Sequence, residues 1–325
     1  FRVLGPAAAR VHGQEAGVTG VQRMEYYAAV LTAIGIHILL GLSAYLVAIT
    51  GQVSFGQQGF YAIGAYLAGM CTAMWGFSFI PAIALGMLAA GVMGALVGFP
   101  ALRLKGLYLG VATFGFGEIV RFSFLNVRYQ KPIGGKLVGP DAWEGFRHIT
   151  YMFDRGWTLQ HYLGVIYAAV VIVVVLVALL ERSKLGAIFR AVEEDEVAAS
   201  MVGINITAVK VFAFAMGGLV AGLAGSLFVH YSTYIDHEMV ALPLAIAAVV
   251  YPMLGGLGSF WGTIIAAAFL MFLTESLRFL QEFRMIVYGS LIILAMTFRP
   301  RGIIDETFIR KMKSLWRRGA LPVGS

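Results

Sequence analysis

Polar and apolar residues along this chain are sorted into long blocks rather than alternating. From Tyr26 to Leu102 there is no Asp, Glu, Lys or Arg, a run several times the ~20 apolar residues that one helical crossing of a bilayer takes. Further charge-free windows run from Gly156 to Leu180, Val211 to Ile235, Met239 to Thr274 and Met285 to Phe298. These windows are apolar on every face, whereas the strands of a membrane barrel alternate over ~10 residues. A backbone facing lipid must satisfy its own amides, so the windows predict helices, near residues 26–50, 59–77, 79–100, 157–180, 211–235, 239–256, 260–277 and 285–298, and the largely apolar stretch 106–125, which holds Glu118 and Arg121, reads as a further span. The expected fold is all-α: a polytopic transmembrane bundle of about eight or nine spans, with the transmembrane domain over 26–300, a flexible Gly-containing lead-in over 1–25 and a basic tail over 301–325.

Composition agrees with the pattern. Charged residues make up 13% and hydrophobic ones 59%, with mean hydropathy +0.82, against about 25% charged in soluble domains. The net charge of +7 does not point to nucleic acid, because the cations collect at span ends, where positive charge marks the cytoplasmic side. Arg103 and Lys105, then Arg182, Lys184, Arg190 and Lys210, then Arg299 and Arg301 are separated by even numbers of expected spans, so all fall on one face. The acidic turn at Asp236 and Glu238 and the long segment 126–155 fall on the other. Residues 1–25 also fall outside, and the chain starts at Phe1 rather than Met, which leaves room for an upstream piece. Cys71 is the only cysteine, so no internal disulfide forms and a packing role is expected.

Two segments interrupt this order in ways that carry function. Gly51-Gln52-Val53-Ser54-Phe55-Gly56-Gln57-Gln58-Gly59 places glycines, glutamines and a serine inside the longest apolar run. Irregular backbone in a membrane survives only against protein or a water-filled cavity, and broken helices near the midplane build solute sites. Gln52, Ser54, Phe55, Gly56 and Gln57 are therefore expected on a translocation path, with a polar turn at the surface as the competing reading. Between residues 181 and 210, Leu185, Ile188, Val192, Val197 and Met201 recur at helical spacing, which predicts a pair of short amphipathic helices on the cytoplasmic face. The run Glu193, Glu194, Asp195 and Glu196 is expected to fan around a helix as a solvated or partner-facing edge rather than a cation site.

Other features change the picture less. Glu118 and Arg121, at i and i+3 inside a span, suit either a self-neutralising pair or a pathway component. His37, His161 and His230 lack partners at ligand spacing and are expected to be packed rather than metal-bound. Glycines recur at four-residue intervals, as in Gly94 and Gly98 or Gly218 and Gly222, a spacing that permits close helix contact. The cluster from Leu254 to Gly262 reads as a tight inter-helix turn, with Pro252 kinking or ending the helix before it. No phosphate loop of the form G-x-x-x-x-G-K-[ST], no H-E-x-x-H and no Ser, His and Asp grouping occurs. The chain is thus expected not to be an enzyme, and any ATP it depends on, with its Mg, would be bound by other polypeptides.

Five motifs in order carry a resemblance to a known family: Gly51-Gln-Val-Ser-Phe-Gly56 with Gly59 to Tyr66, Gly106 to Arg121, Arg190 to Asn205, Leu254 to Ser259, and Phe298 to Gly302. They are similar to those of the LivM-type permease subunits of branched-chain amino acid importers driven by ATP, over most of the chain. The resemblance implies an inner (plasma) membrane location, a second related permease subunit, two cytoplasmic ATPase subunits, an external solute-binding protein, and a further span before the one starting near Tyr26. It also implies a coupling role for the segment holding Arg190, Glu193, Asp195, Glu196, Ala198, Ala199 and Gly203. In such importers a cytoplasmic loop of pattern E-A-A-x-x-x-G docks on the ATPase. Here Ala198, Ala199 and Gly203 keep the spacing while Glu196 sits one place early. The turn Tyr234-Ile-Asp-His-Glu238 departs from the small, polar run usual in the family. Permeases for urea, short amides or other amino acids share much of this pattern. An ion-coupled carrier or channel is the alternative from another class, with Glu118 as its only credible coupling carboxylate.

Overall fold

In the computed structural model the described residues are 20–276, apart from 102 and 134, together with 289 and 290. The elements are α1 (Gly20–Ala48), α2 (Gln57–Ala73), α3 (Phe79–Ala101), α4 (Leu107–Asn126), β1 (Lys131–Ile133), β2 (Lys136–Pro140), β3 (Phe146–Arg147), α5 (Tyr151–Asp154), α6 (Leu159–Arg182), α7 (Lys184–Glu194), α8 (Glu196–Met201), α9 (Ile206–Ser232), α10 (Leu242–Gly255) and α11 (Phe260–Ser276). By length and composition four helical stretches can cross a membrane: Glu25–Ala48, Phe79–Pro100, Leu159–Arg182 and Ile206–Ser232. The helices α10 and α11 are apolar but shorter. The window expected as a helix over 285–298 and the basic tail lie outside the described residues, except for 289 and 290, which are helical. Helix α1 already begins at Gly20, inside the stretch read as a lead-in.

Helix α9 is the centre of the bundle, packing chiefly on α3, α2 and α1, while α1 also meets α11, α10 and α6. Small residues make this possible. A Cβ built on Gly64 of α2 would strike the Gly222 backbone of α9, and one on Gly225 would strike the Tyr61 carbonyl. The Ser226 hydroxyl donates to Gly64 O across the same contact at 3.0 Å. Lipid gives helices no hydrophobic reason to associate, so such close backbone approach supplies the dispersion contact instead. Gly94 and Gly98 of α3 meet Phe214 and Gly218 and Gly222 meet Ala90, so the four-residue glycine spacing is used at the α3–α9 crossing.

Where the sequence predicts a plain loop over 126–155, the chain forms a small antiparallel sheet of order β1-β2-β3, with Lys131 opposite Val138 and Gly139 opposite Arg147. This departs from a purely helical fold. The sheet is fastened to the α9–α10 turn by reciprocal backbone bonds between Phe146 and Ile235, of 2.8 and 3.1 Å. In that turn the Tyr234 hydroxyl donates to Asp236 at 3.0 Å. Burial, reinforced by that carboxylate, pushes the phenol up to about 12, so the donor stays protonated. The charge pattern assigns these same two segments to one face.

Pro252 does not end its helix: α10 continues to Gly255, and Gly256 at φ +93° turns the chain into α11. A proline costs the helix a hydrogen bond about one turn upstream, which permits one further turn. Among the histidines, His230 is fully buried between Thr72, at 3.0 Å, and the Ser226 carbonyl. His37 meets the Tyr251 hydroxyl at 2.8 Å, and Cys71 is buried.

Candidate functional site

The polar stretch after α1 is a loop between two helices. Helix α1 closes through Ile49, Thr50 and Gly51, whose amides donate to Tyr45, Val47 and Ala48. Gly51 takes φ +76°, in the left-handed region that glycine tolerates without a Cβ penalty. The extended residues that follow are pinned to α4: the Phe55 amide donates to Thr113 Oγ1 at 3.0 Å, and the Phe55 ring lies against Gly110. The Gly56 amide donates to Ser54 Oγ at 3.2 Å.

The glutamines are all buried. Gln58 Nε2 donates to Glu118 Oε1 at 3.2 Å, and the other oxygen of Glu118 receives Arg121 at 2.7 Å. The spacing of Glu118 and Arg121 therefore does form a pair, and the loop's helix joins it. Gln57 Nε2 reaches Ser43 O at 3.5 Å. The side-chain carbonyls of Gln52, Gln57 and Gln58 have no hydrogen-bond partner among the described residues, an arrangement that costs ~1–3 kcal/mol per group in a dry interior.

The segment 181–210 forms the expected pair of short helices. Each has its own cap: Ser183 accepts from the amides of Leu185 and Gly186, and Asp195 accepts from Val197 and Ala198 at 2.8 and 3.0 Å. Asn205 then caps α9 through the Ala208 amide at 3.0 Å. Such caps satisfy amides that the first helical turn leaves without partners. The acidic run is therefore not one helical edge, as its composition suggests, because the chain breaks at Asp195 between α7 and α8. Arg190 is turned back onto the Glu181 carbonyl at 2.9 Å, and the Glu181 carboxylate accepts from Tyr45 of α1. Ala199 is buried at 4% exposure, and Gly203 takes φ +86°, which lets the Ile204 amide fold back onto Ala199 O at 3.2 Å.

Glu196 corrects the sequence reading more sharply. It is not a free solvated acid, since it receives Lys210 Nζ at 2.6 Å, the lysine side chain being 5% exposed and the glutamate 36%. Lys210 itself, read as a loop cation, belongs to α9. The capping signal at Asn205 could have placed it there, but nothing in the sequence joins it to Glu196. The pair is asymmetric: Glu196→Gln strands a buried ammonium, whereas Lys210→Met frees a carboxylate that can turn to water. Thermal unfolding in detergent should show a loss of ~1–3 kcal/mol for Glu196→Gln and a smaller one for Lys210→Met. The opposite order would contradict this geometry.

The two segments meet. Gly51 lies against the Glu193 backbone, and a cavity of about 400 Å³ is lined by Gly51, Gln52, Val53 and Phe55 together with Glu196 and Lys210. The α3–α4 connection lines it with Lys105 and Gly106. The polar loop therefore sits beside α7 and the Glu196–Lys210 pair. Among the described residues no group of three or more His, Cys, Asp or Glu is arranged to hold a metal ion.

Comparison with known proteins agrees with the motifs. The family described as branched-chain amino acid transport system / permease component matches residues 26–296. The chain belongs to this family. The high-affinity branched-chain amino acid transport system permease protein LivM of Salmonella typhimurium is 34% identical over 290 residues, covering 84% of this chain and 68% of the relative. The Escherichia coli LivM is 33% identical, with 86% and 69% covered. The E. coli permease LivH of the same kind of system is 26% identical, covering 81% of this chain and 89% of its own. No solved structure matches the chain.

Proposed function

We propose that this chain is the multi-pass permease subunit of an ATP-driven importer in the inner (plasma) membrane, moving branched-chain amino acids. The family and the printed functions of LivM and LivH support the solute class. The observation that carries the mechanism is the meeting of the 181–210 segment with the α1–α2 loop, through Gly51 against Glu193 and through Glu196 and Lys210 in one cavity wall. Movement imposed on α7 and α8 reaches the loop through the Glu193 backbone and α9 through one ion pair.

In this reading the bundle crosses the bilayer eight or nine times, with the 181–210 helices inside and the sheet outside. Two cytoplasmic ATPase subunits bind ATP and Mg and dock on α7 and α8. The chain itself holds no cofactor. Val197, Met201 and Val202 are exposed in the isolated chain, an apolar cluster at a polar end of the molecule, as a docking surface requires. A second related permease subunit completes the path, membrane lipid covers the flanks, and an external binding protein delivers solute to the sheet side. Nucleic acid has no part. The path runs past Gln52, Ser54, Phe55, Gly56, Gln57 and Glu118, and Arg190, Glu193, Asp195, Glu196, Ala198, Ala199 and Gly203 form the coupling unit.

Reconstitution with the other subunits tests this reading. It expects leucine uptake that requires ATP and the binding protein, whereas uptake by the chain alone along an ion gradient would point to a carrier. Glu118→Gln probes the path within that assay. It keeps an acceptor for Gln58 and loses a partly exposed pair, so stability should fall by less than ~1 kcal/mol while uptake falls about tenfold. Unchanged uptake would make the pair purely structural.

A further inference from the structure

We infer that Tyr45 is a positioning residue for transport: its hydroxyl, donated to the Glu181 carboxylate, holds the corner from which α7 departs against the last turn of α1, so that α7 and the α1–α2 loop move together. The inference deepens the importer reading and rests on it for the event that moves α7.

Three helices meet at that corner. Helix α6 runs to Arg182 and α7 starts at Lys184, with Ser183 between them. The Ser183 side chain accepts from the first-turn amides of α7 and donates its hydroxyl to Leu180 O at 2.7 Å. A Cβ on Gly186 would meet the carbonyls of Leu180 and Glu181 at 2.5 Å, so α7 folds back closely on the end of α6. Glu181 is then held from two sides. Its carbonyl accepts from Arg190 of α7 at 2.9 Å, and its carboxylate accepts from Tyr45 of α1. One residue of α6 thus ties α7 to α1.

Tyr45 stands at the root of the polar loop. It lies in the last turn of α1, which ends at Ala48, and its carbonyl accepts the Ile49 amide at 3.0 Å where the chain leaves the helix. The residue is buried, and a buried phenol needs an acceptor for its hydroxyl. A carboxylate is a strong one, because hydrogen bonds to an ionised group are roughly twice as strong as those between neutral groups. Further along, Gly51 lies against the Glu193 backbone. Glu181 stands just before α7 and Glu193 near its end, so both ends of α7 are fixed to the end of α1 and the start of the loop.

The remaining contacts of α7 are of another kind. Phe189 and Val192 are buried, and the Phe189 ring meets Phe212 of α9 edge on. Burial of apolar surface holds α7 on the bundle but has no direction, whereas a hydrogen bond weakens steeply once its angle is lost. Without the Tyr45 hydroxyl, α7 stays packed and slides over α1. With it, a displacement of α7 is passed to the loop.

Tyr45→Phe removes the hydroxyl alone and keeps the ring. In the complete complex reconstituted in vesicles, leucine taken up per ATP hydrolysed should fall about tenfold, with ATP hydrolysis and membrane abundance lowered no more than about twofold. Glu181→Leu should match it, Glu181→Gln, which keeps an acceptor for the phenol, should recover most of that loss, and Tyr45→Phe combined with Glu181→Leu should be no worse than either alone. A merely structural bond would lower abundance, hydrolysis and uptake together. An unchanged ratio of uptake to hydrolysis, or losses that add in the double variant, overturns the assignment. Hydrogen exchange of the full chain in nanodiscs without ATP keeps this inference apart from the importer reading. Amides of residues 184–194 should exchange about tenfold faster in Tyr45→Phe than in the parent. Faster exchange in the variant, with no ATP-driven uptake by the parent complex, supports the joint and overturns the importer reading. Parent uptake with unchanged exchange overturns the joint and leaves the importer reading standing.

Discussion

Ala199→Arg is expected to abolish ATP-driven uptake while leaving the chain in the membrane and solute capture by the binding protein intact. Ala199 is the buried residue of α8, and its carbonyl accepts the Ile204 amide that closes the turn after it. A guanidinium there cannot stay buried without a partner, so α8 must lift from the bundle. The lifted helix loses the Glu196–Lys210 pair that ties it to α9 and pulls on the adjoining α7, whose Glu193 sits beside Gly51. Gly203→Ala acts on the same turn by a different route. A Cβ there meets nothing within 4 Å, so its only cost is the left-handed backbone at φ +86°, roughly 1–2 kcal/mol. Uptake should therefore fall by a few-fold rather than vanish. Measurements of uptake, membrane abundance and binding-protein affinity on both variants separate the cases, and full uptake in Ala199→Arg would remove the coupling assignment.

The largest effect on stability is expected at the α2–α9 crossing. Gly225→Val pushes its side chain into the Tyr61 carbonyl, and Gly64→Val into the Gly222 backbone. The obstacle in each case is main chain, with no flexible side chain to give way. Overpacking of this kind costs ~1–3 kcal/mol at a minimum, and more where two helices must separate. Both variants should accumulate poorly and elute as aggregates on size exclusion. Gly164→Val in α6, where a Cβ meets nothing within 4 Å, should behave as the parent does. A parent-like melting temperature for Gly225→Val would mean that the two helices do not touch as described.

Much of this architecture can be read from the sequence because lipid enforces it. The charge-free windows correspond to α1 to α3, α6 and α9 to α11, with ends shifted by a few residues where capping side chains lie outside the apolar run, while α4 is legible as an apolar stretch despite Glu118 and Arg121. Asn205 is the clearest case: it starts α9 at Ile206, while the absence of charge starts it only after Lys210. The sheet was not legible, since strands of two to five residues, punctuated by Pro132, Gly135 and Gly139, show no period to count. Four acids in a row concealed the cap at Asp195, because its role depends on where the helix stops rather than on what the residue is.

The site was half legible. The polar interruption at Gly51 to Gly59 and the 181–210 helices each stand out by composition, and both were singled out for function. Their meeting was not, because the contacts between Gly51 and Glu193 and between Glu196 and Lys210 arise from how α1 and α9 cross, and no local spacing encodes that.

Met201 offers the most direct test of the claim that this chain is driven from the cytoplasm through α8. It is 81% exposed, and the lone natural thiol, Cys71, is buried, so Met201→Cys adds a single reactive site. In the complex purified from native membranes, a short bifunctional crosslinker at that position should join this chain to an ATPase subunit, with the yield changing on ATP binding, and the thiol should resist impermeant maleimide applied outside intact cells. Labelling from outside, or an intact complex giving no adduct with an ATPase subunit, would contradict the account.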